Sequence, residues 1–419
     1  MEFARRRSIL VAILLLAGAL RLAFVIGWGE RFDNYPDSDE YLRVAQNVRT
    51  GRGFELDSEN RAARAPLYPL FCAIVQDVLG EEREGIRLVQ ALLSTASVLL
   101  VYCVASGVSA SDPPGPLGAR DSYRHIALLA AALCAVFPYF IFYSALCLTE
   151  TLFVFLVLGL ALLAMDERRV SAPLAGIMAG LCSLTRPFML LFPVFLGASV
   201  VVFRTPRGSS EGDASPRAWW GPAAWVCLFF AGYALALSPW VVRNYLIFGR
   251  FLPGTTLAGA SLYEACSETA NGGPAMEKVD WGQADGMSEV EKDAYWRDRA
   301  VRWVEEHPGR FLFLAVEKQR RFWSVAPNHP FFRGFQYMAL AAGSYLVVTL
   351  AGMIGLVAVW RRSRRLLVFF LPLLFYLVLM HAVFVGSVRY RLPLEPFLAI
   401  FAAALYTALW RYISRVRED

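Results

Sequence analysis

Apolar runs of membrane-crossing length, repeated along the whole chain, constrain this sequence more than any motif does. The first extends from about Ser8 to Trp28, directly after Arg5-Arg6-Arg7. A helix needs about 20 apolar residues to cross a hydrocarbon layer of roughly 30 Å, and this run supplies them. Its charged start imitates a secretory signal. It is long enough to span, however, and shows no small-residue cleavage site, so it reads as a retained anchor. Further runs lie near Gly85–Gly107, His125–Tyr143, Leu146–Met165, Ala172–Thr185, Pro187–Phe203, Ala218–Val242, Gln336–Trp360, Leu366–Val385 and Leu392–Trp410. Together they predict an all-α polytopic membrane protein with about ten transmembrane helices, Ala172–Thr185 being the shortest. A composition of 57% hydrophobic and 18% charged residues excludes a large soluble enzyme.

The net charge of +6 does not point to nucleic acid, because the basic residues gather at the ends of apolar runs. Arg120 and Arg124, Arg168 and Arg169, Arg204, Arg207 and Arg217, the run Arg361 to Arg365, and Arg411, Arg415 and Arg417 all fall on one predicted side. By the positive-inside rule that side is cytoplasmic, and it holds both termini. The short outer loops carry only Arg186, Arg389 and Arg391, which run against the trend. Three regions follow: residues 1–242 as a transmembrane module with a first outer loop at 29–83, 243–335 as an outer cap, and 336–419 as C-terminal transmembrane helices. The stretches 108–124 and 204–217, rich in Pro, Gly, Ser and Asp, read as cytoplasmic connectors.

The first outer loop opens with Tyr35-Pro36-Asp37-Ser38-Asp39-Glu40-Tyr41, three carboxylates in seven residues beside the membrane. Asp37 or Ser38 suits a helix cap, and Tyr41, Val44, Ala45 and Val48 follow at helical spacing until Gly51 and Gly53 stop the pattern. Either this is a surface helix with its acidic start facing a cleft, or it is an ordinary acidic helix cap. A second surface helix is expected from Pro66 to about Leu79. In the cap, Ser288 with Glu291 has the form of a capping box for a helix reaching Glu306. His307-Pro308-Gly309 breaks it, and another amphipathic helix runs to about Trp323, with Lys318, Arg320 and Arg321 on a solvated or headgroup-facing side. Most of the 7 Cys lie in apolar segments, leaving Cys72 and Cys266 as the candidates for a disulfide. The 4 His show no ligand spacing, so no histidine-built metal site is expected.

The polar residues available for chemistry collect at the outer ends of the predicted spans. Asp37 and Asp39 follow the first span, Arg64 precedes Pro66, Glu150 and Arg186 stand at two further ends, Arg243 follows Ser238-Pro239-Trp240, and Arg389-Tyr390-Arg391 closes another. Helical rise puts Arg21 and Glu150 at similar depth, roughly 7–10 Å below the outer boundary, and predicts that they are neighbours. Structural pairing remains the alternative for these two, headgroup snorkelling for the loop arginines, and helix-start electrostatics for Asp39 and Glu40. A carboxylate surrounded by arginines is suited to transfer from a lipid-linked sugar phosphate. The cations hold the phosphate, and the acid accepts the acceptor's proton.

Four motifs carry a resemblance: Pro36-Asp37-Ser38-Asp39-Glu40-Tyr41, Arg64-Ala65-Pro66-Leu67-Tyr68-Pro69-Leu70, Ser238-Pro239-Trp240 through Arg243-Asn244-Tyr245 with Phe248-Gly249, and Arg389-Tyr390-Arg391-Leu392-Pro393. With Thr149-Glu150-Thr151-Leu152-Phe153 and Leu184-Thr185-Arg186-Pro187, the chain resembles polytopic glycosyltransferases of the C superfamily, the group that includes protein O-mannosyltransferases and lipid A aminoarabinose transferases. The resemblance implies a polyprenyl-phosphate-sugar donor and inverting transfer at the outer face, to a glycan, glycolipid or protein acceptor. It puts the catalytic acid on Asp37 and makes Asp39 a second carboxylate that orients the acceptor or Arg64. Arg243 and Arg389 become the foremost phosphate ligands, with Tyr41, Glu150, Arg186, Arg391 and Arg21 completing the substrate-binding set. Relatives place a basic residue directly before the loop proline. Here that position is Ala65, and Arg64 takes its place one residue earlier. The resemblance implies no metal or other cofactor, although Asp37 and Asp39 could hold a divalent ion. A polytopic transporter or flippase of lipid-linked sugars, or a non-catalytic envelope assembly protein, is the alternative.

Overall fold

The computed structural model describes every residue except 1, 33–35, 81–82, 110–119, 167, 169, 205–215, 329–331, 333, 360–363 and 419. Tyr35, most of the two expected connectors, His329 and Arg361–Arg362 therefore lie outside the described residues. The described elements are helical, with no strand among them. In chain order they are α1 (Glu2–Trp28), α2 (Pro36–Arg49), α3 (Leu67–Leu79), α4 (Arg83–Ser109), α5 (Arg120–Ala135), α6 (Pro138–Ser144), α7 (Glu150–Met165), α8 (Ser171–Thr185), α9 (Phe192–Arg204) and α10 (Pro216–Phe248). The cap contributes α11 (Ala258–Ala265), α12 (Glu289–Glu306) and α13 (Pro308–Phe322), and the bundle resumes with α14 (Phe335–Ser344), α15 (Ala351–Val359), α16 (Arg364–Val383) and α17 (Glu395–Glu418).

Among the described residues, 7 helices are long and apolar enough to cross a membrane, or 8 if α5 and α6 count as one bent span. All ten predicted runs are helical, and the two that fall outside this count are α7 and α8, which are short. Helices α7 and α8 have 16 and 15 residues, or about 24 Å and 22 Å of rise, against roughly 30 Å of hydrocarbon. They form an antiparallel pair, so both their outer ends stay on one side of the bundle. The 53° bend between α5 and α6 has a local cause. Pro138 opens α6 and forces Phe137 into extended backbone (φ −66°, ψ 118°).

Short as it is, α7 is the central helix. Twelve of its residues are buried, from Glu150 to Met165, and it packs against α4, α8 and α16. Around it a continuous apolar core runs from Ala17 in α1 to Phe401 in α17. Glycines let the backbones close in: a Cβ on Gly176 in α8 would meet the Phe229 carbonyl of α10, and one on Gly232 would meet that of Pro173. The cap has a second core, in which Trp296 sits 4.9 Å from both Tyr263 and Trp281. The capping box of Ser288 and Glu291 opens α12 as expected.

Two contacts seat the cap. Glu289 at the start of α12 accepts the backbone N–H groups of Arg61 (2.7 Å) and Ala62 (2.8 Å), tying the first loop to it. Lys318 of α13 donates to the Val383 carbonyl at the end of α16 (2.5 Å). Lys318 is fully buried, not on a solvated face as its place in an amphipathic helix suggested, because it caps the carboxyl end of α16. Cys266 lies 3.7 Å from its ammonium, and Cys72 is buried in α3 among Tyr68 and its neighbours. Both are free thiols, so the expected disulfide does not form.

Because α8 and α10 meet backbone to backbone, Gly176→Ala is expected to force them apart and cost about 1–3 kcal/mol. Gly107→Ala, which meets nothing within 4 Å, should be neutral or slightly stabilising. Thermal unfolding of both variants in detergent checks this. Equal melting temperatures would refute the close packing.

Candidate active site

The N-terminus of α7 is the origin of the site. Its unpaired N–H groups carry partial positive charge, which suits a carboxylate in the first turn, and that residue is Glu150. Glu150 is 2% exposed, and its Oε1 takes two arginines: Arg186 Nη2 at 2.8 Å and Arg389 Nε. Arg186 comes from the turn after α8. It also donates to Thr149 Oγ1 (2.9 Å) and lies over the rings of Phe153, Phe188 and Tyr390. Arg389 comes from the 3-10 turn Val388–Arg391 between α16 and α17. A cap residue fixes that turn: Asn328 Oδ1 accepts Val388 N–H at 2.8 Å and the Ser387 hydroxyl at 3.2 Å.

From Arg389 the charges continue outward. Its Nη1 donates to Asp37 Oδ2 at 2.9 Å, and Arg64 Nη2 donates to Asp37 Oδ1 at 3.0 Å. Arg64 Nε in turn reaches Glu40 Oε2 at 2.6 Å. Arg64 also rests over Tyr41 at 5.2 Å, and Tyr41 packs edge-on against Tyr68. The Ser38 hydroxyl donates to the Cys147 carbonyl at 2.9 Å and anchors the first turn of α2 above the α6–α7 loop. The result is an alternating ribbon, Glu40–Arg64–Asp37–Arg389–Glu150–Arg186, built from five separate segments. Exposure falls along it from 35% at Asp37 to 20% at Arg389 and 2% at Glu150. Partial burial alone would raise the Asp37 carboxyl, but Arg389 and Arg64 outweigh it and hold the group down at about 2. Glu264 of α11 is buried within reach of the Asp37 charge. Burial first, then the charges of Glu277 and Asp37, push it up against the N–H of Ala275 that it accepts at 2.8 Å.

Beside the ribbon lies a cavity of about 630 Å³. Phe24 and Trp28 of α1, Phe142 of α6, and Tyr337 and Leu340 of α14 give it apolar walls, while Arg389 and Arg321 supply guanidinium groups. Arg321 has no carboxylate partner among the described residues. Its Nε donates to the Gly386 carbonyl at 3.2 Å, and it lies so close over Gly273 that a Cβ there would collide with it. Placing Arg321 with Arg320 on a solvated face is thus corrected. Arg320 alone, 73% exposed and paired with Glu317, fits that description.

Asp37, Arg64, Tyr41, Glu150, Arg186 and Arg389 come together. Arg21, Asp39, Arg243 and Arg391 do not. Arg21 is not paired with Glu150, because its guanidinium goes to Ser94 Oγ (2.7 Å) and to the carbonyls of Ala17, Cys134 and Ala135. Cys134 cannot bond four residues ahead, since Pro138 has no N–H, and Arg21 supplies the missing donor. Ser94 also lines a cavity of about 20 Å³ with Glu150, whose Oε2 has no partner among the described residues. Asp39 points to Arg83 at 2.6 Å rather than to Arg64, whose second carboxylate is Glu40. Spacing holds the reason: Glu40 is one helical turn from Asp37 on α2, whereas Asp39 is on another face.

Arg243 serves the loop after α10, donating to the Phe54 carbonyl (3.0 Å) and Asn244 Oδ1 while stacked on Trp240. Arg391 is 1% exposed and bonds Glu395 (2.6 Å) and the carbonyls of Phe322 and Ser324. Asp37 and Asp39 pair with different arginines, Asp37 with Arg64 and Arg389 and Asp39 with Arg83. No group of three or more His, Cys, Asp or Glu suited to a metal occurs among the described residues.

No protein-family model matches this sequence, and no curated protein matches it. Solved structures do. The archaeal oligosaccharyltransferase AglB from Archaeoglobus fulgidus, in complex with an inhibitory peptide and a dolichol-phosphate, superposes with a TM-score of 0.60 at 15% identity over 100% of this chain. A second Archaeoglobus fulgidus oligosaccharyltransferase structure, tethered to an acceptor peptide, gives 0.53 at 14% identity over 98% of this chain and 50% of its own. ArnT from Cupriavidus metallidurans bound to undecaprenyl phosphate reaches only 0.40 at 11% identity, over 90% of this chain and 77% of its own. The chain spans about half the length of AglB, 52% of it, so the likeness concerns the fold. The protein is a polytopic, all-α membrane protein that shares the fold of the matched half of these Archaeoglobus fulgidus oligosaccharyltransferase structures.

Proposed function

We propose that this protein transfers a sugar from a polyprenyl-phosphate donor to an acceptor hydroxyl at the outer face of a cell membrane, with inversion. One observation carries the reading: Arg389 belongs both to the carboxylate ribbon and to the wall of the apolar cavity. The cavity suits a prenyl chain, and its guanidinium groups suit a phosphate. Of the two carboxylates that Arg389 pairs with among the described residues, Asp37 is the one that meets solvent. The cavity is lined by the Trp28 end of α1 and by the turn before α17, away from their basic ends, which supports an outer position for the cap under the positive-inside rule.

In this mechanism Arg321 and Arg389 hold the donor phosphate, and Asp37 faces the acceptor. The acceptor oxygen bonds to the anomeric carbon as the bond from that carbon to the phosphate oxygen breaks. The electron pair of that bond leaves on the prenyl phosphate, and the acceptor's proton passes to Asp37. Glu150 and Arg186 are positioning residues that act through Arg389. The step uses residues of this chain alone, and a glycan, a glycolipid or a protein could supply the hydroxyl.

Asp37→Asn keeps the shape of the side chain but removes the base. Transfer from a polyprenyl-phosphate sugar, measured by radiolabel in proteoliposomes, is expected to fall about 10²–10⁴-fold in kcat while the protein stays monodisperse. Undiminished transfer would sink the assignment. Arg321→Gln should raise the donor KM about 10–100-fold, since a hydrogen bond to a charged group is worth about 1.5–3 kcal/mol. Arg243→Gln, by contrast, should lower the melting temperature and leave the donor KM unchanged. A donor KM that rises only with Arg243→Gln would reverse the two roles.

A further inference from the structure

We propose that the donor phosphate arms Asp37: by taking charge from Arg389 it loosens the clamp on that carboxylate and makes it able to accept a proton, so the acceptor reacts second. The inference rests on the transferase reading above and adds an order of events to it.

Without donor, both oxygens of Asp37 are taken, Oδ1 by Arg64 and Oδ2 by Arg389. A carboxylate held down at about 2 is fully ionised at neutral pH but is a weak base, far from the matched value that general-base catalysis favours. Something has to release it, and the position of Arg389 identifies what. Its Nη1 is on Asp37 and its Nε on Glu150, yet the same residue lines the cavity. A phosphate in the cavity therefore competes with Asp37 for one guanidinium. An anion near Asp37 also raises its proton affinity, whether or not the Arg389 bond is broken.

The charge count supports this. Asp37, Glu40 and Glu150 are matched by Arg64, Arg186 and Arg389, three against three, so the ribbon is neutral before a donor arrives. The remaining groups around Asp37 leave the balance almost unchanged. Tyr41 lies beneath Arg64, Tyr390 is pushed up first by burial, and Glu264 is pushed up likewise, so none supplies a cation. During transfer the site exchanges a carboxylate and a singly charged phosphodiester for a protonated acid and a doubly charged prenyl phosphate. Total charge stays constant while one unit moves from Asp37 to the phosphate. Arg389, which lies between them, follows that charge with little movement.

The test uses the full chain in detergent with carbon-13-labelled aspartate. Isotope-edited infrared spectra follow the carboxylate band, and Asp37→Asn identifies the Asp37 contribution. Farnesyl phosphate serves as the donor-phosphate probe and farnesol as its uncharged control, with calorimetry reporting binding. Farnesyl phosphate is expected to raise the Asp37 protonation midpoint by about one to two pH units, the size of one lost opposite charge. Farnesol should not move it. Arg389→Gln should raise the midpoint without ligand and abolish most of the ligand-dependent shift, while Arg389→Lys should preserve that shift. Farnesyl phosphate that binds without moving the midpoint overturns this inference and leaves the transferase reading standing. Failure of farnesyl phosphate to bind, together with absence of transfer, overturns both.

Discussion

A single buried carboxylate organises this protein. Glu150 sits at the start of a helix with almost no access to water, and an unpaired charge there would cost several kcal/mol. The α7 dipole meets part of that cost, and two arginines from distant parts of the chain meet the rest. Arg186 closes the helix antiparallel to α7. Arg389 lies 239 residues away in sequence, beyond the cap. Once Arg389 is drawn to Glu150, its other nitrogens can point only outward, and Asp37 lies in their path. The geometry of the ribbon thus follows from satisfying one buried charge.

The cap is part of the same device. Asn328 shapes the turn that carries Arg389, Lys318 joins α13 to the end of α16, and Arg321 extends from α13 into the cavity wall. Glu289 holds the loop that presents Arg64. The segment expected as an outer cap thus holds the ribbon from two sides, at Arg389 and at Arg64. The likeness to the oligosaccharyltransferase structure shows that such a bundle is a known architecture.

Several arginines singled out in the sequence donate to backbone carbonyls. Pro138 removes one donor from the α5–α6 junction, and Arg21 replaces it from another helix. Arg391 does the same for the carbonyls that end α13, and Arg243 for Phe54 in the first loop. Inside a bilayer a carbonyl such as that of Cys134 has no water to turn to, so an arginine at that depth serves equally well as a structural donor or a ligand. Depth and sidedness do not tell the two uses apart. Only the partners do.

Hydropathy determined the helical, membrane-embedded class, because backbone in hydrocarbon has no alternative to internal hydrogen bonding. Local signals were equally readable: the capping box at Ser288, the break at Pro308, and the short helices around Asp37 and after Pro66 all depend on neighbours within a few residues. The α2 spacing even held the choice of Glu40 over Asp39. Tertiary structure decided the rest. Which guanidinium meets which carboxylate depends on helices brought together from opposite ends of the chain, and Asp37 and Arg389 are 352 residues apart. The lengths of α7 and α8 against the bilayer, the burial of Lys318 and the turn of Arg321 into the cavity were settled there as well. Each depends on what packs alongside, and an amphipathic pattern records only that a face is polar, not which partner it meets.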